Sequence, residues 1–409
     1  MRQVGHIIRK EVLEHLLSSR SVLTAALCLA LIASSALLMT GDYAARRAGY
    51  DHRDRAGQTQ AGKRPKLTRE PSPLSVLARG LDPEMGRLLF ITWAQPRRDP
   101  GARALDAGDR NLLPSLFEPF DLVHIVGYAL SLLALFFSFD GICGEKSAGT
   151  LRLTLSCGGS RTGVLLGKWV GGQVSLFACL LPAVLTLFAV LSLSPALRLG
   201  GEAWGRVGLL LIASLLFLST FFSLGLLVSA RAHRPATALQ VVLFLWAVWV
   251  LGAPNLGILA AKTLRPVPSA LDVEREKGGI DRRAYATELD YFRACWGLDD
   301  AYIGRVVAQS DLAQNLSRPS PLSSYLYAAT TLAWTGVPDA HRFRDEVIRW
   351  DRRQRGQGYH WEGDIPFFPK RMALDETLRA VWVDLGLLAL LNALFLGAAW
   401  ASFQRYDVR

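Results

Sequence analysis

Six stretches of the chain, near 22–39, 122–139, 174–193, 207–230, 238–261 and 381–403, carry almost no internal charge. At about 18–24 residues and 1.5 Å per helical residue, each is long enough to cross a hydrocarbon core of about 30 Å. Backbone that meets lipid has no water to bond with, so these stretches read as helices. Composition agrees: of 409 residues 51% are hydrophobic and 20% charged, a balance that excludes an ordinary soluble enzyme, a disordered polymer, collagen and a coiled coil. The expected fold class is an all-α polytopic membrane protein with six transmembrane helices, cytoplasmic N- and C-termini and a discontinuous extracytoplasmic domain. The formal charge of +11 comes without a basic recognition helix or a stacking-aromatic module. It points to anionic lipid head groups, with no nucleic acid expected as a partner.

Basic residues close to the spans set the orientation. With the N-terminus in the cytoplasm, Arg2, Arg9, Lys10 and Arg20 fall inside, followed by Lys146, Arg152, Arg161 and Lys168, by Arg231 and Arg234, and by Arg405 and Arg409. The short loop on the other side has Arg198 and Arg206 against Glu202, so the contrast is a bias in composition. The expected division is an amphipathic interfacial helix at 1–20, spans at 21–40, 119–140, 169–193, 207–230, 238–261 and 381–403, and extracytoplasmic segments at 41–118 and 262–380. Between them fall a cytoplasmic hairpin at 141–168, a short outer loop at 194–206, a short inner loop at 231–237 and a cytoplasmic tail at 404–409. Each long segment is polar and lacks a strong apolar pattern, so the two are expected to pool their burial in one domain made mostly of helix and irregular structure. The mildly apolar stretch 321–338, with Tyr325, Tyr327 and Trp334, is too short to span. It fits a helix on the outer leaflet or folded into the outer domain.

The first span reads as a retained membrane helix, because its leader carries Glu11 and Glu14 and its apolar core is long for a signal peptide. Cys28 lies mid-span without a small residue before it, which argues against lipid attachment. Cysteines at 28, 143, 157, 179 and 295 have no metal-ligand spacing, and the seven histidines form no recognisable cluster. Neither a disulfide framework nor a metal site is expected. Asp121, His124, Asp140 and Asp384 lie within about a turn of span ends, where snorkelling is the plain reading. Pro182 and Pro254-Asn255 kink helices either around a path or for packing.

Residues 4–20 repeat apolar side chains at 4, 7, 8, 12 and 16, with Arg9, Lys10 and Glu14 elsewhere on the wheel, the pattern of a helix lying along a membrane surface. The second span leads into a short helix with Glu145 near its start, where a carboxylate meets the positive helix end. Leu151 and Leu155 fall four apart and are expected on one exposed face, while Gly158-Gly159 ends the helix and turns the chain back. On these grounds alone, a loop held at the interface and a docking element for a partner are equally open. Gly163-x-x-x-Gly167-Lys168-Trp169 superficially suggests a phosphate loop, but the first glycine is one residue too close and tryptophan stands where Ser or Thr is needed. No catalytic or cofactor-binding residue is expected in this chain.

The run FDLVHIVGYALSLLALFFSFDGICGEKSAGTLRLTLSCGGSRTGVLLGKWVGG resembles the signature region of ABC transporter permeases of the type-2 exporter family. It is most similar to the branch with two large extracytoplasmic segments, that of gliding-motility and copper-enzyme maturation systems. PSPLSVLARGLDPE at 71–84 and, more weakly, SPLSSYLYAATTLAWTGVPDAHRF at 320–343 extend the likeness. The resemblance implies that residues 144–168 form a coupling hairpin seated on a separate ABC ATPase subunit, with Glu145, Gly149, Thr150, Leu151 and Arg161 on matching positions. Leu155 joins them from the helical spacing. It further implies a bacterial cytoplasmic (inner) membrane and a second permease copy or a homologous permease. Other implied partners are membrane lipids and a protein meeting the outer domain, and ATP and Mg would be bound by the ATPase alone. Cys157-Gly158-Gly159 stands where such permeases often have a proline-containing turn. The residues themselves leave two other classes open: a polytopic membrane enzyme with an outer catalytic domain, and a force-transmitting complex that moves no solute.

Overall fold

The computed structural model describes residues 2–58, 66–67, 69–85, 89–92, 95–98, 120–156, 160–356 and 371–405. Among them, six helices are long and apolar enough to cross a membrane: Ser19–His52, Leu122–Ala148, Arg161–Leu193, Gly201–Arg231, Pro235–Leu264 and Leu374–Gln404, numbered here as the first to sixth spans. The protein is a multi-pass membrane protein. The fourth span is the most buried and packs on the second and the sixth. Phe217, Phe221 and Phe222 fill its inward face.

Lipid is as apolar as leucine, so spanning helices are held by close packing and by hydrogen bonds between polar side chains. Gln173 Nε2 and Asn392 Nδ2 both donate to Ser219 Oγ at 2.7 Å, and Ser223 Oγ lies 2.8 Å from Asn392 Oδ1 and 2.9 Å from Trp169 Nε1. These bonds pin the third, fourth and sixth spans together. The second and fifth spans each contain a π turn, Ile125–Leu130 and Ala247–Gly252. The latter lies just before Pro254 and offers the local rearrangement that a residue without an N–H requires. Pro182 stays inside the continuous helix Arg161–Leu193.

The helix Arg2–Leu16 precedes the first span, and two short helices, Cys143–Ala148 and Thr150–Ser156, lie between the second and third. At the far end of the bundle, Glu288–Ser317 returns beside the fifth span, where Gln309 Nε2 donates to the Arg265 carbonyl at 2.7 Å and Ser317 packs on Gly257. The chain turns at 318–320 and leaves as Pro321–Leu332.

This last helix corrects the expectation for 321–338. It lies between the fourth and sixth spans, with Tyr325 fully buried, its ring stacked on Phe217 at 4.5 Å and its hydroxyl 2.8 Å from Ser214 Oγ. Ser214 is about 20 Å along its helix from Gly201, so the segment reaches well into the bundle. Small side chains at Ser323, Ser324, Ala328, Ala329 and Thr331 are what allow so close an approach.

The two long segments meet at this end. Ser72 Oγ donates to the Ala333 carbonyl at 2.8 Å, Thr335 Oγ1 to that of Ala78 at 2.9 Å, and the Leu81 N–H to that of Thr335 at 2.8 Å. Gly80 has φ +45° and sits where any Cβ would come within 2.5 Å of the Thr335 carbonyl oxygen, so no other residue fits the crossing. Trp334 holds φ +60°, rare for an aromatic residue. It is clasped between the guanidinium groups of Arg206 at 4.1 Å and Arg371 at 5.2 Å, and its Nε1 donates to the Met372 carbonyl at 2.9 Å. The first long segment also has a small antiparallel sheet, Lys66–Leu67 with Leu89–Thr92 with Gln95–Arg98. Strands this short leave no usable alternation in the sequence.

Candidate functional site at the hairpin

The hairpin is tied to the bundle from behind. The N–H groups of Ile142 and Cys143 donate to Ser229 Oγ at 2.9 and 3.0 Å, and Lys146 Nζ reaches the carbonyls of Ala230 and Ala232. A cation thus meets the unsatisfied carbonyl end of the fourth span. Gly149, at φ +75°, caps the first short helix through its N–H to the Lys146 carbonyl at 3.2 Å, and Thr150 Oγ1 donates to the Glu145 carbonyl at 3.4 Å. A left-handed residue at this turn calls for glycine.

Leu151 is corrected by the structure. It is 1% exposed, in a cluster with Ile142, Val164, Leu165, Leu226, Ala230 and Phe403, and Leu155 packs partly buried on the same cluster. The four-residue spacing identified an apolar face rightly, but that face turns onto the base of the bundle. Two residues on, the outward leucine is Leu153, 70% exposed beside exposed Arg152. Residues 147–150 are exposed with it.

Glu145 faces inward as well. Its Oε1 lies 3.2 Å from Lys10 Nζ and 3.0 Å from Lys168 Nζ, and Lys168 Nζ lies 2.7 Å from Glu11 Oε1. Lys168 and Glu11 are 5% and 7% exposed, so two ammonium groups and two carboxylates compensate one another where an unpaired charge would be costly. Partial burial works against the Lys10 ammonium, and Glu145, Glu14 and Glu11 outweigh it, so Lys10 titrates above the ordinary lysine range. His15 Nε2 lies 3.7 Å from Glu11 Oε2.

Arg161 donates through Nη1 to the Gln404 carbonyl, and Thr162 Oγ1 accepts from Trp400 Nε1 at 3.1 Å and Gln404 Nε2 at 3.0 Å. Arg231 Nε lies 3.1 Å from Ser402 Oγ. The amphipathic helix, the hairpin, the start of the third span and the last turn of the sixth therefore converge at one end of the bundle. Glu145, Gly149, Thr150, Leu151, Leu155 and Arg161 are all there, while Cys157-Gly158-Gly159 lies outside the described residues.

Sequence reasoning missed Lys10, Glu11 and Lys168. Glu11 was the available sign: it falls four residues after Ile7 on the apolar stripe, where a carboxylate needs a buried cation. The polar groups near the span ends have partners within the protein. Asp140 pairs with Arg20 at 2.7 Å and Asp384 with Arg318 at 2.9 Å. Asp121 accepts from the N–H groups of His124 at 2.9 Å and Arg79 at 2.7 Å, and lies 2.7 Å from His124 Nδ1.

A family model described as ABC-2 family transporter protein matches residues 7–408. A probable ABC transporter permease protein NosY from Pseudomonas aeruginosa is 32% identical over 131 residues, covering 32% of this chain and 47% of that protein. Its namesake from Stutzerimonas stutzeri is 30% identical over 131 residues, with the same coverage of 32% and 47%. The matched region thus spans about half the length of these curated relatives.

Proposed function

The chain belongs to the ABC-2 family of transporter proteins, and from that premise we propose that it is the transmembrane permease subunit of an ATP-driven exporter. ATP and Mg are then bound by a separate ATPase, and the end of the bundle that carries the hairpin faces the cytoplasm of a bacterial cell. The observation that carries this reading is the two-sided build of the hairpin. Ser229, Lys146 and buried Leu151 lock it to the bundle, while Leu153 and Arg152 stand outward. An element held rigidly from behind with an apolar anchor at its tip passes a push on to the helices it rests on. In this mechanism a pair of ATPases closes on ATP, displaces the hairpins of two permease copies, and passes the push to the second and third spans and to the end of the fourth, on which the hairpin rests.

The test compares two leucines. Truncating a central anchor typically costs about 2 kcal/mol, some thirtyfold in affinity. Leu153→Asp should leave the protein inserted and abundant while abolishing co-purification with a co-expressed soluble ABC ATPase. Leu151→Asp should instead lower abundance, because it puts a carboxylate into an apolar cluster at a cost of several kcal/mol. Unchanged ATPase binding by the Leu153→Asp protein would make the hairpin a passive loop.

A further inference from the structure

Lys168, two turns into the third span, is the group on which the hairpin and the amphipathic helix both depend. Its Nζ bridges Glu145 Oε1 of the hairpin at 3.0 Å and Glu11 Oε1 of the helix Arg2–Leu16 at 2.7 Å. The helix is seated closely on the same span. A Cβ at Gly171, one turn along, would come within 2.8 Å of the Glu11 Cβ and 3.2 Å of the Ile8 carbonyl oxygen. Lys10 approaches Glu145 from the exposed side at 3.2 Å, with most of its own side chain in solvent. A solvent-exposed ammonium contributes little to such a pair, whereas a buried one holds strongly because removing it leaves uncompensated charge.

We propose that Lys168 is a positioning residue that makes the hairpin, the amphipathic helix and the third span move as one body. The inference rests on reading the hairpin as the ATPase seat, and adds that the amphipathic helix belongs to the moving unit. Two carboxylates bound to one Nζ can be no further apart than the two bonds laid end to end. Without the ammonium, Glu11 and Glu145 face each other as like charges with only Lys10 between them and solvent. The hairpin then parts from the helix while its own anchors, Ser229, Lys146 and Leu151, stay in place. An ATPase docked on Leu153 would displace a hairpin no longer joined to the third span by charge.

Two measurements test this. In the detergent-purified permease without any ATPase, amide hydrogen exchange over residues 2–16 should quicken by about tenfold or more in Lys168→Met, and return to the parent rate in Lys168→Arg. In the complex with a co-expressed soluble ABC ATPase, Lys168→Met should still bind through Leu153 but lose at least about tenfold of permease-dependent ATP hydrolysis, again with rescue by Lys168→Arg. If Lys168→Met proves too unstable to purify, Lys168→Gln combined with Glu11→Gln removes the facing charges and carries the same two readouts. Unchanged exchange over 2–16 would overturn the clamp. Normal hydrolysis despite faster exchange would remove the amphipathic helix from the moving unit. Loss of ATPase binding by Lys168→Met, with exchange unchanged, would place Lys168 at the docking surface and sink the proposal. ATPase binding that survives Leu153→Asp counts against the hairpin reading alone, and the exchange result stands apart from it.

Discussion

Asp339, in the helix Val337–Gly356, lies buried with Arg69 Nη2 at 3.9 Å, and its Oδ2 has no hydrogen-bond partner among the described residues. Burial pushes its carboxyl up to about 6, against the pull of Arg69, Arg206, Arg342 and Arg371. The sign follows from linkage: with the folded value above the unfolded one, the contribution of Asp339 to stability is greatest below about pH 4 and falls as pH rises toward 6, then levels off. Asp82, buried beside Arg46 and raised by the same cause, adds to that slope. On the order of 3 kcal/mol rides on Asp339. The thermal unfolding midpoint in detergent should therefore fall between pH 4.5 and 7 more steeply in the parent than in Asp339→Asn. Parallel pH profiles for the two proteins would refute the assignment. None of this was legible in the sequence, where Asp339 is one acidic residue among many in a polar segment. Leu151 was half legible: the spacing showed a face, and which way it turned depended on Phe403 and Leu226, far off in the chain.

At the scale of elements, the spans were readable because length and apolarity in lipid admit one answer. The pair formed by Glu288–Ser317 and Pro321–Leu332 was not, since its second helix is short and rich in Ser, Ala and Thr, a composition shared by surface loops and by tight helix contacts. What ties the turn of this pair to the bundle is the bond from Arg318 Nε to Asp384 Oδ1 at 2.9 Å, with Arg318 Nη1 on Asn315 Oδ1 at 2.6 Å. Asp384 lies about 15 Å along the sixth span from Leu374, and Ser320 Oγ donates to the Trp249 carbonyl at 2.7 Å, so the turn is held from two sides. Removing one partner of a buried pair costs about 3–5 kcal/mol, because the other charge stays behind. Asp384→Leu should thus lower the unfolding midpoint more than the double change Arg318→Met with Asp384→Leu, which removes both charges. A double variant less stable than the single one would show that the pair is not what secures the turn.

For the whole molecule, the converging contacts bring the helix Arg2–Leu16 and the last turn of the sixth span to one end of the bundle. Lys10 meets Glu145, Arg20 meets Asp140, and Arg161 meets the last turn of the sixth span. The same end gathers Lys146, Arg152, Lys168, Arg231 and Arg405, each in or beside a short connection, which is where the positive-inside bias acts. Arg46, Arg69, Arg206 and Arg371 crowd the opposite end. Arg69 and Arg371 belong to long segments, which cross largely regardless of charge, Arg46 lies near the far end of the first span, and Arg206 is neutralised by Glu202 at 3.0 Å. From this bias we propose that the hairpin end faces the cytoplasm and the Gly80–Thr335 crossing lies outside. A reporter that works only in the cytoplasm should be active when fused after Arg405, and one that works only outside should be active when inserted at Gly278, the exposed end of the helix Ala270–Gly278. If both sites instead responded to the outside reporter, the hairpin could not reach a cytoplasmic ATPase, and the coupling mechanism would fall with the orientation.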